Sequence, residues 1–224
     1  MLLDIPNFGF GPGLTVHIRT TVRYAYSFIE TAAIRIGNDI LQVSSFGQYM
    51  LNGISNGDLS EKLSGYTVEH SIPHKNLHQF YIDLKDGRHF TVKVLKDMVS
   101  FSFHLPGTDE EFGETVGLLG HYHNGARLAR DGVTIVEDPN DFGQEWQVRD
   151  TDPELLFTQR EPQFPAKCIM PDPGERASRR LEATISMDAA SIACEHVTDK
   201  QVRDMCIFDV ISTDVLSVAT SGVY

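Results

Sequence analysis

His121 and His123 stand two apart in Gly120-His121-Tyr122-His123-Asn124-Gly125. On a strand, residues two apart share a face, and paired imidazoles are zinc ligands. No cysteine lies beside them, and surface histidines are the preferred reading. His70, His74 and His78 have the spacing of one helix face, but Pro73 and an alternating pattern oppose a helix there. They too read as surface histidines. The chain has no Gly-x-Ser-x-Gly, no P-loop, no His-Glu-x-x-His, and no Gly-x-Gly-x-x-Gly opening a helix. A Ser/His/Asp triad needs no adjacency in sequence, so a hydrolase stays as the third alternative. With nine histidines, chance combinations come easily.

The redox chemistry is confined to the last quarter, where the three cysteines fall: Cys168, Cys194 and Cys206. Ser186 can cap a helix over Met187–Cys194, and Thr198 a second over Asp199–Cys206. A turn at His196-Val197-Thr198 would fold the two into a hairpin. A Cys194–Cys206 disulfide is the expectation, and two free buried thiols are its alternative. Phe208 and Val210 are expected to dock this hairpin on the rest of the chain. Cys168 is then the odd thiol, orphaned or paired with another chain.

The elements that must position these groups are mostly strands. Leu14-Thr15-Val16-His17-Ile18 and Tyr66-Thr67-Val68-Glu69-His70 alternate apolar with polar residues, the period of a half-buried strand. Gly37-Asn38-Asp39 separates Ala33–Ile36 from Ile40–Val43. Asn52-Gly53 follows Tyr49–Leu51, and Asp86-Gly87 divides Phe80–Leu84 from Phe90–Val94, a strong type I′ hairpin signal. Val99–His104 comes after a Lys-Asp turn. Strands recurring about every 8–12 residues predict a mainly β chain, an antiparallel sandwich or meander, from Leu14 to Val148. A small C-terminal α-helical hairpin completes the fold class.

Four units follow: an irregular segment over 1–13, a β domain over 14–150, a Pro-rich linker over 151–182, and the Cys-bearing helical tail over 183–224. Pro162, Pro165, Pro171 and Pro173 mark the linker. Arg176, Arg179 and Arg180 read as an exposed charged loop rather than a processing site.

With 41% apolar and 22% charged residues the chain can bury a core. A formal net charge of −12 argues against nucleic acid and anionic lipid as partners. No run of about 18 apolar residues is present, so no membrane span is predicted. Met1-Leu2-Leu3-Asp4-Ile5-Pro6 lacks the basic start and long apolar run of a signal peptide.

One stretch narrows the reading. Gly117-Leu118-Leu119-Gly120-His121-Tyr122-His123-Asn124-Gly125 is followed by Asp131-Gly132 and then by Asn140-Asp141-Phe142-Gly143-Gln144-Glu145-Trp146. This order resembles the second half of a von Willebrand factor type D domain, which runs Gly-Leu-Cys-Gly-Asn-Tyr-Asn-Gly, an acidic loop, Asp-Gly, then Asn-x-Phe-Gly-x-x-Trp. The likeness extends back over Ile36–Val43 and Leu51-Asn52-Gly53, and so covers about Leu14 to Val148. Leu119 stands where the family has its cysteine. The Ala193-Cys194 and Cys206–Val210 region is similar to the cysteine-bearing helical segment that trails such domains. The family's opening Gly-Asp-Pro-His strand has no counterpart before Leu14, and the expectation is a piece of a longer secreted precursor.

The resemblance implies a non-enzymatic extracellular module for structure, adhesion or assembly, with protein partners or self-assembly. A disulfide-linked oligomer through Cys168 would be one form of that. A carbohydrate- or lipid-binding β domain is the alternative. The resemblance also brings calcium, held in the loop after the Asn-Gly turn. Here His121 replaces the first Asn, the adjacent Asp pair is missing, and Arg127 and Arg130 add positive charge. Asn124, Asp131, Asp138 and Asp141 remain as oxygen donors. Two cations oppose a divalent ion, so no cofactor is expected. Trp146 is expected to anchor the last strand by packing.

Overall fold

The computed structural model describes residues 1–6, 8–9, 13–23, 26–60, 63–149, 151–152, 154–157, 185–213 and 216–220. Ten antiparallel strands form one curled sheet made of two meanders. The first runs through β1 (Leu3–Ile5), β2 (Leu14–Arg23), β3 (Tyr26–Ile36), β4 (Asp39–Ser44), β5 (Tyr49–Leu51) and β6 (Ile54–Ser55). The second runs through β7 (Thr67–His74), β8 (Leu77–Lys85), β9 (Arg88–Leu95) and β10 (Met98–His104). One pairing, Val99 with Ile29, joins β10 to β3. The rest of that edge of β3, from Thr31 to Ile36, pairs with β4.

Turn chemistry sets the register. Asn52 and Gly53 have φ of 51° and 80°, and Asp86 and Gly87 have 51° and 75°. These left-handed pairs match the strand twist, and Leu51–Ile54 and Lys85–Arg88 close on them. Alternation then sends Leu14, Val16, Ile34 and Leu41 from one meander, and Phe80, Ile82, Phe90 and Val92 from the other, into one core. All eight are fully buried. The mainly β, antiparallel architecture expected from the sequence is therefore present.

Three details depart from expectation. Leu3–Ile5 is a strand inside the segment expected to be irregular, pairing with Leu14–Val16. The strands end at His104 rather than near Val148. From Thr115 to Gly120, within the span expected to be β, only Val116 bridges, to Asp4; the chain then turns, with φ of 122° at Gly117 and 78° at Gly120. A ladder cannot continue through that backbone.

Beyond β10 come two short helices, α1 (Asp109–Phe112) and α2 (Pro139–Glu145). The Asp138 carboxylate accepts from the Asn140 and Asp141 amides, and proline takes the first helical turn. Trp146 therefore sits at the C-terminal end of a helix, not on a last strand.

The tail holds α3 (Met187–Ala193) and α4 (Lys200–Thr213). Ser186 caps α3 by accepting from the Ala189 amide. Asp199 Oδ1 accepts from the Val202 amide at 2.9 Å, so the cap of α4 is Asp199 and not the expected Thr198. Ala190, Cys194, Cys206 and Val210 form a second core with Leu77 and Leu95 of β8 and β9. Val210 is fully buried there as expected, whereas Phe208 is 44% exposed.

Candidate functional site

Cys194 and Cys206 form a disulfide across the α3–α4 hairpin, with Cα atoms 6.0 Å apart. Both sulfur-bearing residues are fully buried against the second core. Cys168 lies outside the described residues, as do the linker prolines and Arg176, Arg179 and Arg180.

The loop after Gly120 closes on itself. The His121 amide donates to the Ala126 carbonyl and the Gly125 amide to the His121 carbonyl. His121 is not on a strand, and both its ring nitrogens are engaged. Nε2 donates to the Gly113 carbonyl at 3.0 Å, and Nδ1 accepts from the His123 amide at 3.3 Å. The two histidines therefore do not present a shared face.

The four oxygen donors named from the resemblance mostly serve their own loops. Asn124 Oδ1 accepts from the Ala126 amide. Asp131 accepts from the Val133 and Thr134 amides and from the Thr134 hydroxyl, which together hold its carboxyl below its usual range. It closes a small hairpin whose Leu128 and Ile135 pair. Asp138 caps α2, and the amides of Asp141 and Asn140, with Arg127 nearby, lower its pKa. Asp141 lies exposed in the first turn of α2. Of the two arginines, Arg127 stays at the loop, donating to the Glu137 carbonyl, while Arg130 turns inward. Among the described residues, no three His, Cys, Asp or Glu side chains converge as a metal-ligand group.

Arg130 leads to a polar layer that the sequence reading missed. Its guanidinium donates to the Glu145 and Gln147 carbonyls and pairs with Asp152 at 2.8 Å. It also lies over the Trp146 ring, 5.6 Å from the centroid. Behind it, His17 and Arg35 project from the outer face of β2 and β3. They are only 3% and 7% exposed: Asp152 and Glu154, of the segment that follows α2, lie beside His17 and Arg35 respectively. Arg35 donates to Thr15 Oγ1 and pairs with Glu154. Burial first, then the neighbouring chain-start ammonium, Arg35 and Arg130, push the pKa of His17 down to about 4, against the pull of Asp152. The alternation of Leu14–Ile18 shows two faces but does not say that both are covered. The signal that was present is Asp138-Pro139, which starts the helix carrying Trp146 into place.

On the outer face of β4 to β6 lies an open trough of about 290 Å³. Gln42, Ser44, Gln48, Tyr49, Met50, Ser55 and Asn56 line it. Its amides and hydroxyls can donate and accept hydrogen bonds, beside the apolar Met50 side chain.

The chain matches no protein-family model and no curated protein sequence.

Proposed function

We propose that this chain is a non-enzymatic extracellular module for structure, adhesion or assembly, a divergent relative of von Willebrand factor type D domains. The observation that carries this reading is the Cys194–Cys206 bridge, which seats a helical tail on Leu77 and Leu95. Disulfides of this kind persist in oxidising compartments. No described helix is long and apolar enough to cross a membrane, which is compatible with a secreted protein. The order Asn-Gly, Asp-Gly, Phe-Gly-x-x-Trp supports the family reading. In this reading Cys168 links chains. Protein made through a secretory route should run as a dimer on non-reducing electrophoresis and collapse to a monomer in Cys168→Ser. A monomer alone, under oxidising conditions, overturns the assembly role.

The trough favours a carbohydrate-binding β domain as the second reading, since Gln42, Gln48 and Asn56 offer amides to hydroxyls. Glycan-array binding that Gln42→Ala abolishes would move the assignment there.

Calcium has no part in this proposal. The oxygens of Asp131 and Asp138 already accept internal donors, and Arg127 lies by Asp138. Calorimetric titration is expected to show no tight calcium site; one that disappears in Asp131→Ala would contradict this.

A further inference from the structure

The hairpin between α1 and α2 offers an unpaired backbone edge. Ala129 N–H donates to the Thr134 carbonyl at 2.7 Å, and Val136 N–H to the Arg127 carbonyl at 2.8 Å. These two bonds flank the Leu128–Ile135 pair, so the N–H and C=O of Ile135 itself point away from the hairpin. Neither has a hydrogen-bond partner among the described residues. Beside them Val133 and Ile135 are 79% and 66% exposed. The edge is also held in place. The Leu128 carbonyl accepts from the Trp146 indole, and the Glu137 carbonyl from Arg127. Asp131 takes the Val133 and Thr134 amides. A partner therefore meets backbone that is already ordered, and little ordering cost opposes binding.

From this edge we propose that the hairpin docks an extended, basic peptide segment of a partner protein, which adds as a strand along Ile135. The inference rests on the reading of the chain as a module with protein partners, and adds where one binds and of what kind. Backbone bonds to the Ile135 N–H and C=O set the register, and apolar side chains of the segment lie against Val133 and Ile135. Charge selects the partner. Between Arg127 and Asp141 the exposed carboxylates are Asp131, Glu137, Asp138 and Asp141, and the cations are Arg127 and Arg130. Arg130 turns inward onto Asp152, which leaves Arg127 against the four acids. The hydrogen bonds that Asp131 and Asp138 accept favour their charged forms. A segment with lysine or arginine on both sides of its apolar residues complements that field. A second copy does not. Antiparallel pairing about Ile135 would bring Asp131 of each chain toward Asp138 of the other, like against like.

The test uses the full oxidised chain and a fluorescein-labelled peptide of alternating valine and threonine with two lysines at each end. Fluorescence anisotropy at pH 7.4 should show binding at submillimolar chain, weakened about tenfold between roughly 50 and 500 mM salt. The same peptide methylated on its backbone nitrogens, and one with glutamates in place of the lysines, should each bind about tenfold more weakly or worse. Ile135→Pro removes the outward N–H but neither bond of the hairpin, so it should lose about tenfold with circular dichroism unchanged. Glu137→Gln with Asp141→Asn should weaken binding roughly threefold or more at low salt. Absence of binding to the lysine peptide overturns the docking edge. So does equal affinity for the methylated peptide, a comparison made on the unaltered chain, and so does self-association in sedimentation that Ile135→Pro abolishes. Dimerisation through Cys168 is read separately: a chain that dimerises but ignores the peptide loses the edge and keeps the module reading, and a monomer that binds the peptide does the reverse.

Discussion

Replacing Cys194 with alanine is expected to free the C-terminal tail while the sheet stays folded. The bridge closes a loop with a sequence separation of 12. By the chain-entropy argument, a loop of this size is worth about 3 kcal/mol. Helices of 7 and 14 residues do not hold themselves in water, so the tail depends on that closure and on its contact with the sheet. The contact is compact: Ala190, Val210 and Val218 over Leu77 and Leu95. Loss of the bridge would uncover Leu77 and Leu95 at the ends of β8 and β9, next to the turns that close β7–β8 and β9–β10. Phe80, Ile82, Phe90 and Val92 lie in the separate main core and keep their packing. Hydrogen exchange on Cys194→Ala should therefore show α3 and α4 losing protection, with the central amides of β8 and β9 unchanged. Equal protection of the tail with and without the bridge would mean that the apolar contact alone holds it.

What the sequence revealed and what it hid separate along a physical line. The hairpins were legible because Asn52-Gly53 and Asp86-Gly87 declare their backbone conformation locally. The tail was legible too, through the Ser186 cap and the position of the two cysteines, although the α4 cap slipped by one residue to Asp199. Thr198 and Asp199 are both good caps, and only the helix phase chooses between them. The outer face of β2 and β3 was not legible. His17 and Arg35 sit at the polar positions of alternating strands, where solvent is the default expectation. What covers them is an irregular segment with no hydrophobic period, so nothing near His17 announces its cover. Nor could spacing reveal His70 and His78 as a hydrogen-bonded pair, with Nε2 of the first 3.1 Å from Nδ1 of the second. Their approach depends on the register His70↔Phe80 and on a bulge between Ser71 and His74, which belong to tertiary structure.

Trp146→Ala is expected to produce the largest loss of stability. The indole is 1% exposed, and truncating a buried aromatic of this size costs about 3–5 kcal/mol. Here the ring is also a bridge. Its Nε1–H donates to the Leu128 carbonyl at 2.9 Å and ties the Leu128–Ile135 hairpin to α2. Its face lies against Arg130, which in turn grips Asp152. Removing it would loosen the cover over His17 and let water in. A sharper readout than the unfolding midpoint follows. In the folded chain His17 has a pKa near 4, below its ordinary 6.5. Between those values the unfolded chain binds a proton that the folded chain refuses, so the stability His17 contributes is whole above pH 6.5 and falls as pH drops toward 4. In Trp146→Ala the His17 pKa should rise toward 6.5, flattening that part of the stability profile. Trp146→Phe keeps most of the cover but loses the indole donor, so it should fall between the two. NMR titration of the His17 ring, run beside urea unfolding at pH 7 and pH 5, measures both effects. A midpoint lowered without any movement of the His17 pKa would show that Trp146 packs the segment without sealing the polar layer.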